Sequence, residues 1–373
     1  MSNAKRILVI GGGFSGMSAA ILLAEAGHSV DLVEIDPGWR SYGAGISLNG
    51  AIFRVFHRLG ILDAFKAVGS MTDGVEIRGP ADQVFARLPT PAMQQGATGN
   101  GGIMRPVLAQ LLADRVRATK TNVRLGLSVT AMGNRADSVR ATFTDGTAGD
   151  YDLAIGADGL YSQTRAMLFP DAPKPRYIGQ AVWRAVLARQ AHLPTVAMWM
   201  GPKLKVGINP VSDSHAYLFL TEDRPTNDHL PPDTHVAVLK DLLSRFPSPT
   251  IQAVAAGLGP TSQVVYRPLE QMLMPRPWYS GRVVLIGDAV HATTPHMAAG
   301  AMIGMEDAVV LADELATRDI DAALPAFQDR RWERCRLVVE NSLRLAEIEQ
   351  GHGTQEEHQR LMGHTLGALA APA

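Results

Sequence analysis

A cluster of four glycines near the start of the chain carries the first recognisable chemistry. Gly11-Gly12-Gly13-Phe14-Ser15-Gly16 follows the apolar run Ile7-Leu8-Val9-Ile10 and satisfies G-x-G-x-x-G. Gly11 permits a tight turn, and Gly13 lets the backbone approach a pyrophosphate. Gly16 lets the following helix pack closely on the strand. A helix opening at Phe14 and Ser15 adds free N–H groups and the positive end of its dipole. Glu34 ends the next apolar run, where a carboxylate accepts hydrogen bonds from ribose hydroxyls. A glycine-rich turn with a solvated Glu34 is the competing reading. Strand before, helix after and acidic residue at the next strand end all favour the dinucleotide site. The fingerprint does not separate FAD from NAD.

Two later segments place an acidic residue on a turn after an apolar strand. Asp152-Leu153-Ala154-Ile155-Gly156-Ala157-Asp158-Gly159 continues to Ser162 and Arg165. Gly287-Asp288-Ala289-Val290-His291 continues to Pro295, Gly300, Gly304 and Asp307. Asp288, after a strand and a glycine, can reach a polyol hydroxyl of a bound cofactor. Asp158 can hold neighbouring backbone N–H groups or face the pyrophosphate side. Both also fit as turn residues that cap local N–H groups.

These segments match D-x-x-x-G-A-D-G-x-x-S-x-x-R and G-D-A-x-H-x-x-x-P. With the glycine fingerprint, and in this order, they resemble the single-component FAD-dependent aromatic hydroxylases, the para-hydroxybenzoate hydroxylase type of flavoprotein monooxygenase. The resemblance runs from about residue 6 to 345. It implies that Arg40 and the loop Gly43-Ala44-Gly45-Ile46 contact the flavin. It implies that Arg105 reaches the FAD phosphate and ribityl region, and that Val129 and Ala301 join the cofactor contacts. Pro295 to Gly300 leads into a helix whose N-terminus would face the isoalloxazine. Tyr177-Ile178-Gly179 and Trp183-Arg184 are similar to the start of the family's substrate sheet. The chain departs from the family at Ala298-Ala299-Gly300, where Gly-Gln-Gly is common; alanine at 298 restricts φ.

The resemblance implies a cycle in which NADH or NADPH gives a hydride to flavin N5 and reduced flavin forms a C4a-hydroperoxide with O2. A small electron-rich ring, phenolic or hydroxypyridine-like, then takes the distal oxygen. A second nicotinamide fingerprint is absent and Cys335 is the single cysteine, so the reductant would bind transiently. The ring reacts better as its anion, and a base or cation near its hydroxyl helps. Lys205 can stabilise a phenolate or ring carboxylate, or stand as a solvated strand lysine. His215 and Tyr217 share a strand face by period two, and Tyr217 lines the pocket or fills the core. His296 follows Pro295 and would lie near the flavin. Arg184 fits a carboxylate ligand or a sheet-edge ion pair, and His291 fits a structural hydrogen bond. Three other readings stay open: flavin-dependent oxidation or epoxidation of a non-aromatic polycyclic substrate, a non-catalytic FAD- or NAD-binding sensor, and a plain NAD dehydrogenase.

These residues need particular elements to position them. Residues 6–34 read as strand, turn, helix and strand, the first run being continuous as in a parallel strand buried on both faces. A helix opens at Arg105 with Leu108, Leu111 and Leu112 on one face. Strands at 123–127, 139–143 and 153–155 follow. Between 173 and 275, strand-like runs at 181–187, 197–200 and 215–220 sit among prolines and predict an antiparallel sheet, to which 71–97 adds. At 282 the earlier pattern returns, with a strand, a helix and a final helix over 330–349. The tail after Gly351 is expected to be poorly ordered. The expected fold is α/β: a Rossmann-type, glutathione reductase-like FAD-binding domain from residues 1–70, 98–172 and 276–373. Residues 71–97 and 173–275 form an inserted, mostly antiparallel β-sheet substrate domain.

Composition narrows the partners. The 373 residues are 46% hydrophobic, more than one minimal core needs. A formal net charge of −1 supplies no field for nucleic acid or an anionic membrane. A single cysteine excludes an intramolecular disulfide and fits a reducing compartment. The Ile7–Ile10 run is too short for a signal segment or a membrane span. A cytoplasmic monomer or homodimer is expected, with a small aromatic substrate and O2 as partners. The histidines are scattered, and His291 and His296 do not share a helical face, so no metal site is expected.

Overall fold

The computed structural model describes residues 4–90 and 98–373. Residues 91–97, assigned above to the substrate domain, and residues 1–3 lie outside the described residues.

Strand Arg6–Ile10 sits inside a six-stranded sheet. It pairs in parallel with Ser29–Glu34 on one side and Leu153–Gly156 on the other. Asn122–Leu125 extends the first side, Val283–Leu285 the second, and antiparallel Tyr279–Ser280 closes that edge. Ile7, Leu8 and Val9 have no exposed surface. Their run lacks alternation because both faces are covered. Ile7 and Val9 share a core with Met17, Leu22, Leu108, Leu112 and Ile303, from helices Phe14–Glu25, Arg105–Arg117 and Gly300–Thr317. Leu8 and Ile10 pack with Val139 and Phe143 of a small antiparallel sheet.

A second, seven-stranded sheet is ordered Val264–Leu273, Arg176–Ala188, His215–Asp223, Leu204–Pro210, Val196–Gly201, Val75–Arg78 and Val84–Leu88. One neighbouring pair, Val196–Gly201 with Val75–Arg78, is parallel. Alternation gives this sheet two unlike faces. Trp183, Ala185, Val206, Ile208, Leu218 and Leu220 form a core with Leu239, Leu242 and Ile251 of helices His235–Ser244 and Pro249–Gly257. The alternate positions, Arg184, Lys205, Asn209, Tyr217 and Phe219, take the opposite face. There Asn209 donates to Ser47 Oγ at 2.9 Å and to the Gly101 carbonyl at 3.2 Å. This face therefore meets a three-stranded sheet made by Gly45–Asn49, Asn100–Met104 and Ser70–Thr72.

The tail departs from expectation: residues Gln355–Ala370 form a helix. Its last carbonyls have no partner within the helix. Arg54 donates to Leu369 and Ala370, and Arg334 to Ala368, Leu369 and Ala371. Both guanidiniums also bind Glu306. Two cations at the negative end of the helix dipole dock a segment whose composition alone suggests disorder. Among the described residues, no helix is long and apolar enough to cross a membrane.

Candidate active site

Gly11 adopts φ +105°, and a β-carbon there would collide with the Ala157 carbonyl. A β-carbon on Gly16 would collide with the Gly11 carbonyl. Both glycines hold strand and helix together. Gly13 differs: its conformation is extended, with φ −75° and ψ −177°, and a β-carbon would meet nothing within 4 Å. Open space thus lies over Gly13, at the start of the helix that begins with Phe14 and Ser15. The Ser15 side chain itself faces inward, against Gly287 and Gly304. Glu34 accepts from the Gly12 N–H at 2.7 Å and the Asp36 N–H at 2.8 Å. Each carboxylate oxygen keeps a second acceptor position. Trp39 covers this turn: its Nε1 donates to the Gly12 carbonyl at 2.9 Å. The signal for it was a lone large aromatic in a polar loop.

Asp158 uses both oxygens locally. It accepts from Ser162 Oγ, and from the Thr164 N–H and hydroxyl, both at 2.9 Å. It braces the start of helix Gln163–Leu168, the capping role. Asp288 has no protein donor among the described residues. Its surface is open to solvent, yet it lies deep in the fold, where burial raises its carboxyl pKa above the usual value despite His291 and Arg105 nearby. A deep group with an open surface lines an internal cleft. Arg105 has the same character: exposed, with no acid within ion-pair reach among the described residues, its guanidinium 5.0 Å from the Phe14 ring centroid. Burial lowers its pKa first, then repulsion from Arg184, while Asp288 and Tyr217 act in the opposite sense. The Arg105 N–H donates to the Ala44 carbonyl at 3.0 Å, and Ala44 packs against Tyr217. Helix Gly300–Thr317 begins with Gly300 and Ala301 and has no side-chain cap. Pro295, which opens the short 3-10 turn Pro295–Met297 before it, is exposed.

Several expected site residues point elsewhere. Arg40 pairs with Asp36 at 3.1 Å and is 61% exposed; the short i to i+4 reach draws it out of the cleft. Val129 is buried in the small core with Val139 and Phe143, so its side chain has no open surface for a ligand. His215 lies exposed at its strand's end, bonded to Ser214. Lys205 is neither a solvated lysine nor an open pocket cation: its Nζ donates to Glu349 Oε1 at the end of the long helix Ile320–Glu349. His296 is also taken up. Its side chain is 1% exposed, its Nδ1 lies 2.9 Å from Thr294 Oγ1 and its Nε2 3.5 Å from Glu349 Oε2. His358 approaches the same carboxylate. Burial holds the His296 pKa below 6.5. Burial alone would raise Glu349, but Lys205 and His296 outweigh it and hold the carboxyl well below 4.5.

Glu349 was legible in part, because Cys335, Ser342, Leu345 and Ala346 form a buried helical stripe that 349 continues. Its depressed pKa stabilises the fold above the unfolded value of about 4.5. That contribution is lost as pH falls from there toward the folded pKa. Glu349→Gln is therefore expected to lower unfolding free energy most at pH 7, with the gap to wild type shrinking toward pH 4. A gap that is flat with pH would exclude the ionised tie.

Ala298 adopts the left-handed region, φ 48° and ψ 33°, and its carbonyl accepts from Asn49 Nδ2 at 3.2 Å. A β-carbon costs roughly 1–2 kcal/mol there, of which glycine gives back part through the unfolded chain. Ala298→Gly should raise stability by up to about 1 kcal/mol, read as a higher melting temperature; a lower one would contradict the strain.

Behind the Gly287-Asp288 turn lies a buried charge network. Asp307 accepts from the Gly287 N–H at 2.8 Å, His291 Nε2 lies 2.6 Å from its Oδ2, and Arg331 Nε donates to its Oδ1 at 2.7 Å. Burial would lower the His291 pKa, but Asp307 and Cys335 outweigh it and hold it well above 6.5. His291, Asp307 and Cys335 bring ligand-type atoms together, but the Arg331 guanidinium already supplies the cation.

A family model described as "FAD binding domain" matches residues 5–346. The chain is 32% identical over 352 residues to the 3-amino-4-hydroxybenzoate 2-monooxygenase of Streptomyces cremeus, covering 92% of this chain and 87% of the relative. It is 31% identical over 358 residues to the Aurachin C monooxygenase/isomerase of Stigmatella aurantiaca, covering 94% and 91%. Among solved structures, Klebsiella pneumoniae HpxO complexed with FAD and uric acid matches with a TM-score of 0.83 at 27% identity, covering 99% of this chain and 94% of that one. The chain belongs to the FAD binding domain family and is an FAD-dependent monooxygenase of the aromatic-hydroxylase type.

Proposed function

We propose that this enzyme takes electrons from NADH or NADPH and hydroxylates a small aromatic or N-heteroaromatic ring. One observation carries the reading: the Arg105 N–H donates to the Ala44 carbonyl at 3.0 Å, and Ala44 packs against Tyr217 on the polar face of the seven-stranded sheet. The start of helix Arg105–Arg117 therefore meets the face of the sheet that turns away from its own helices. The relatives' names, hydroxybenzoate and urate chemistry among them, support a ring substrate.

The residues fit FAD. Open space over Gly13 suits a pyrophosphate, with N–H groups of the helix start behind it. The spare acceptor positions of Glu34 suit ribose hydroxyls, and the unpartnered Asp288 carboxylate suits a hydroxyl of the ribityl chain. Arg105 suits a phosphate. The uncapped start of helix Gly300–Thr317 would place positive dipole near the flavin ring. When bound, the flavin supplies the redox chemistry, passing electrons to O2 and one oxygen atom to the substrate. The chain's part is to orient the ring, exclude water and stabilise charge. We assign the cofactor to residues 1–70, 98–172 and 276–373 and the substrate to 71–97 and 173–275. The membership of the two main sheets supports this division.

Asp288→Ala should weaken FAD binding by about 10- to 100-fold, the worth of a hydrogen bond to a charged group. Unchanged affinity, measured by flavin fluorescence titration of apoprotein, would make Asp288 structural only. The function itself is tested by the visible spectrum during anaerobic addition of NADH or NADPH. Bleaching that accelerates with a phenol or hydroxypyridine is expected. Flavin that neither reductant bleaches, with any ring present, would leave the sensor reading standing instead.

A further inference from the structure

The dinucleotide fingerprint requires glycine at positions 11, 13 and 16 and leaves position 12 free, yet this chain carries a fourth glycine there. The reason lies outside the turn. A β-carbon on Gly12 would collide with Trp39 Nε1 and stand 3.1 Å from the Glu34 side chain. Both groups reach Gly12 from the exit of strand Ser29–Glu34. Glu34 takes the Gly12 N–H at 2.7 Å, and the Trp39 indole donates to the Gly12 carbonyl at 2.9 Å. Each of the two peptide planes that flank Gly12 is therefore tied at one end.

The indole is held there in a strained conformation. Trp39 sits at φ +46°, in the left-handed region, where a bulky side chain is a genuine outlier. Such strain persists only where the surroundings over-determine it. Here Asp36 accepts from the backbone N–H groups of Gly38 at 2.9 Å and Arg40 at 3.0 Å, and the Trp39 backbone N–H donates to the Asp36 carbonyl at 3.0 Å. The Arg117 guanidinium lies over the ring, 5.0 Å from its centroid, and the ring also packs against the main core. A cation and apolar side chains thus occupy the ring, and what it directs at the turn is a single N–H.

The consequence falls on the next residue. In a trans peptide the carbonyl and the N–H point to opposite sides. With the Gly12 carbonyl drawn to the indole, the Gly13 N–H is aimed away from it. That N–H has no protein acceptor among the described residues, and a β-carbon on Gly13 would meet nothing within 4 Å. A free donor and open space coincide where the fingerprint expects a pyrophosphate oxygen. Glycine on both sides leaves this peptide freer to rotate than any other pair of residues would, so something outside the turn must fix it.

We propose that Trp39 is a positioning residue: by holding the Gly12 carbonyl, it aims the Gly13 N–H at the pyrophosphate of FAD. The proposal rests on the FAD assignment and requires no turnover.

The test is calorimetric titration of the apoprotein with FAD and, separately, with ADP, which carries the pyrophosphate without the flavin. Trp39→Phe keeps an aromatic ring under Arg117 and removes the N–H. It should weaken FAD and ADP alike, by about 10-fold, as loss of one hydrogen bond to a charged group does. A purely structural Trp39 would instead lower the melting temperature of the apoprotein and leave both affinities unchanged, which overturns the proposal. A loss confined to FAD also overturns it, because Trp39 would then act at the flavin end. Gly12→Ala is the second variant and covers the case in which Trp39→Phe does not fold. Its β-carbon displaces the indole from the same carbonyl and should weaken both ligands by a similar factor; unchanged affinities would again refute the idea. Where both variants fold, the two substitutions break one bond, so their combined effect should fall well short of the product of the single effects. Multiplied effects would show two independent roles and no clamp. Failure of the FAD assignment looks different: the wild-type protein then binds neither FAD nor ADP.

Discussion

Gly13→Val should yield a folded, colourless protein. The protein itself tolerates the change, since Gly13 has an ordinary extended backbone and open space where a side chain would go. That space is the approach path of the pyrophosphate, and filling it with a branched side chain should lower FAD affinity by roughly 100-fold or more, the upper part of the overpacking range. Gly16→Ala is the contrast. Its β-carbon would strike the Gly11 carbonyl, so helix and strand must separate and soluble protein should be lost. Circular dichroism with visible absorption separates the two cases. Stoichiometric FAD on folded Gly13→Val would remove this turn from the cofactor site.

The second large effect is expected from Arg331→Met. Arg331 is fully buried, donating to Asp307 and Glu306 at 2.7 Å each and to the Ile303 carbonyl at 3.0 Å. Glu306 keeps Arg54 and Arg334, while Asp307 keeps His291, the Gly287 N–H and the weak Cys335 thiol donor at 3.8 Å. Removing one partner of a buried ion network costs about 3–5 kcal/mol, because the remaining charge stays desolvated. The urea midpoint should fall accordingly. Arg336→Met removes an arginine that also binds two glutamates, but on the exposed face of the same helix. There water replaces the lost partner, and a change below about 1 kcal/mol is expected. Equal effects from the two variants would refute the role given to burial. Arg331→Met should also loosen FAD, because Asp307 holds the Gly287 N–H one residue before Asp288.

Local patterns made the parallel sheet and its turns readable. A continuous apolar run, glycines at positions 11, 13 and 16, and acidic residues after strands each state a requirement that a few neighbouring residues meet by themselves. At 298 the resemblance to a family that commonly places glycine there marked a restricted φ, and the structure shows it as the left-handed region, φ 48°. The second sheet was readable as strands between prolines, and period two put His215 and Tyr217 on one strand face. Which face met helices and which met the cleft was not readable, because alternation distinguishes faces without saying what covers them.

Side-chain charge was the least legible property. Lys205, His296 and Arg40 each carried a chemistry that suited a pocket, and each is engaged by a partner: Glu349 for the first two, Asp36 for the third. Two of those partnerships cross 144 and 53 residues of chain, so no local pattern could announce them. The tail helix is ordered by arginines from positions 54 and 334 for the same reason. The sequence by itself determined where backbone must turn tightly and which cofactor class the turns serve, since glycine and strand-end aspartate act through their own peptide neighbours. Only the tertiary structure decided which charges are spent on each other and which, like Arg105 and Asp288, are left facing the cleft. Ion pairing depends on distance in space, and the fold sets that distance.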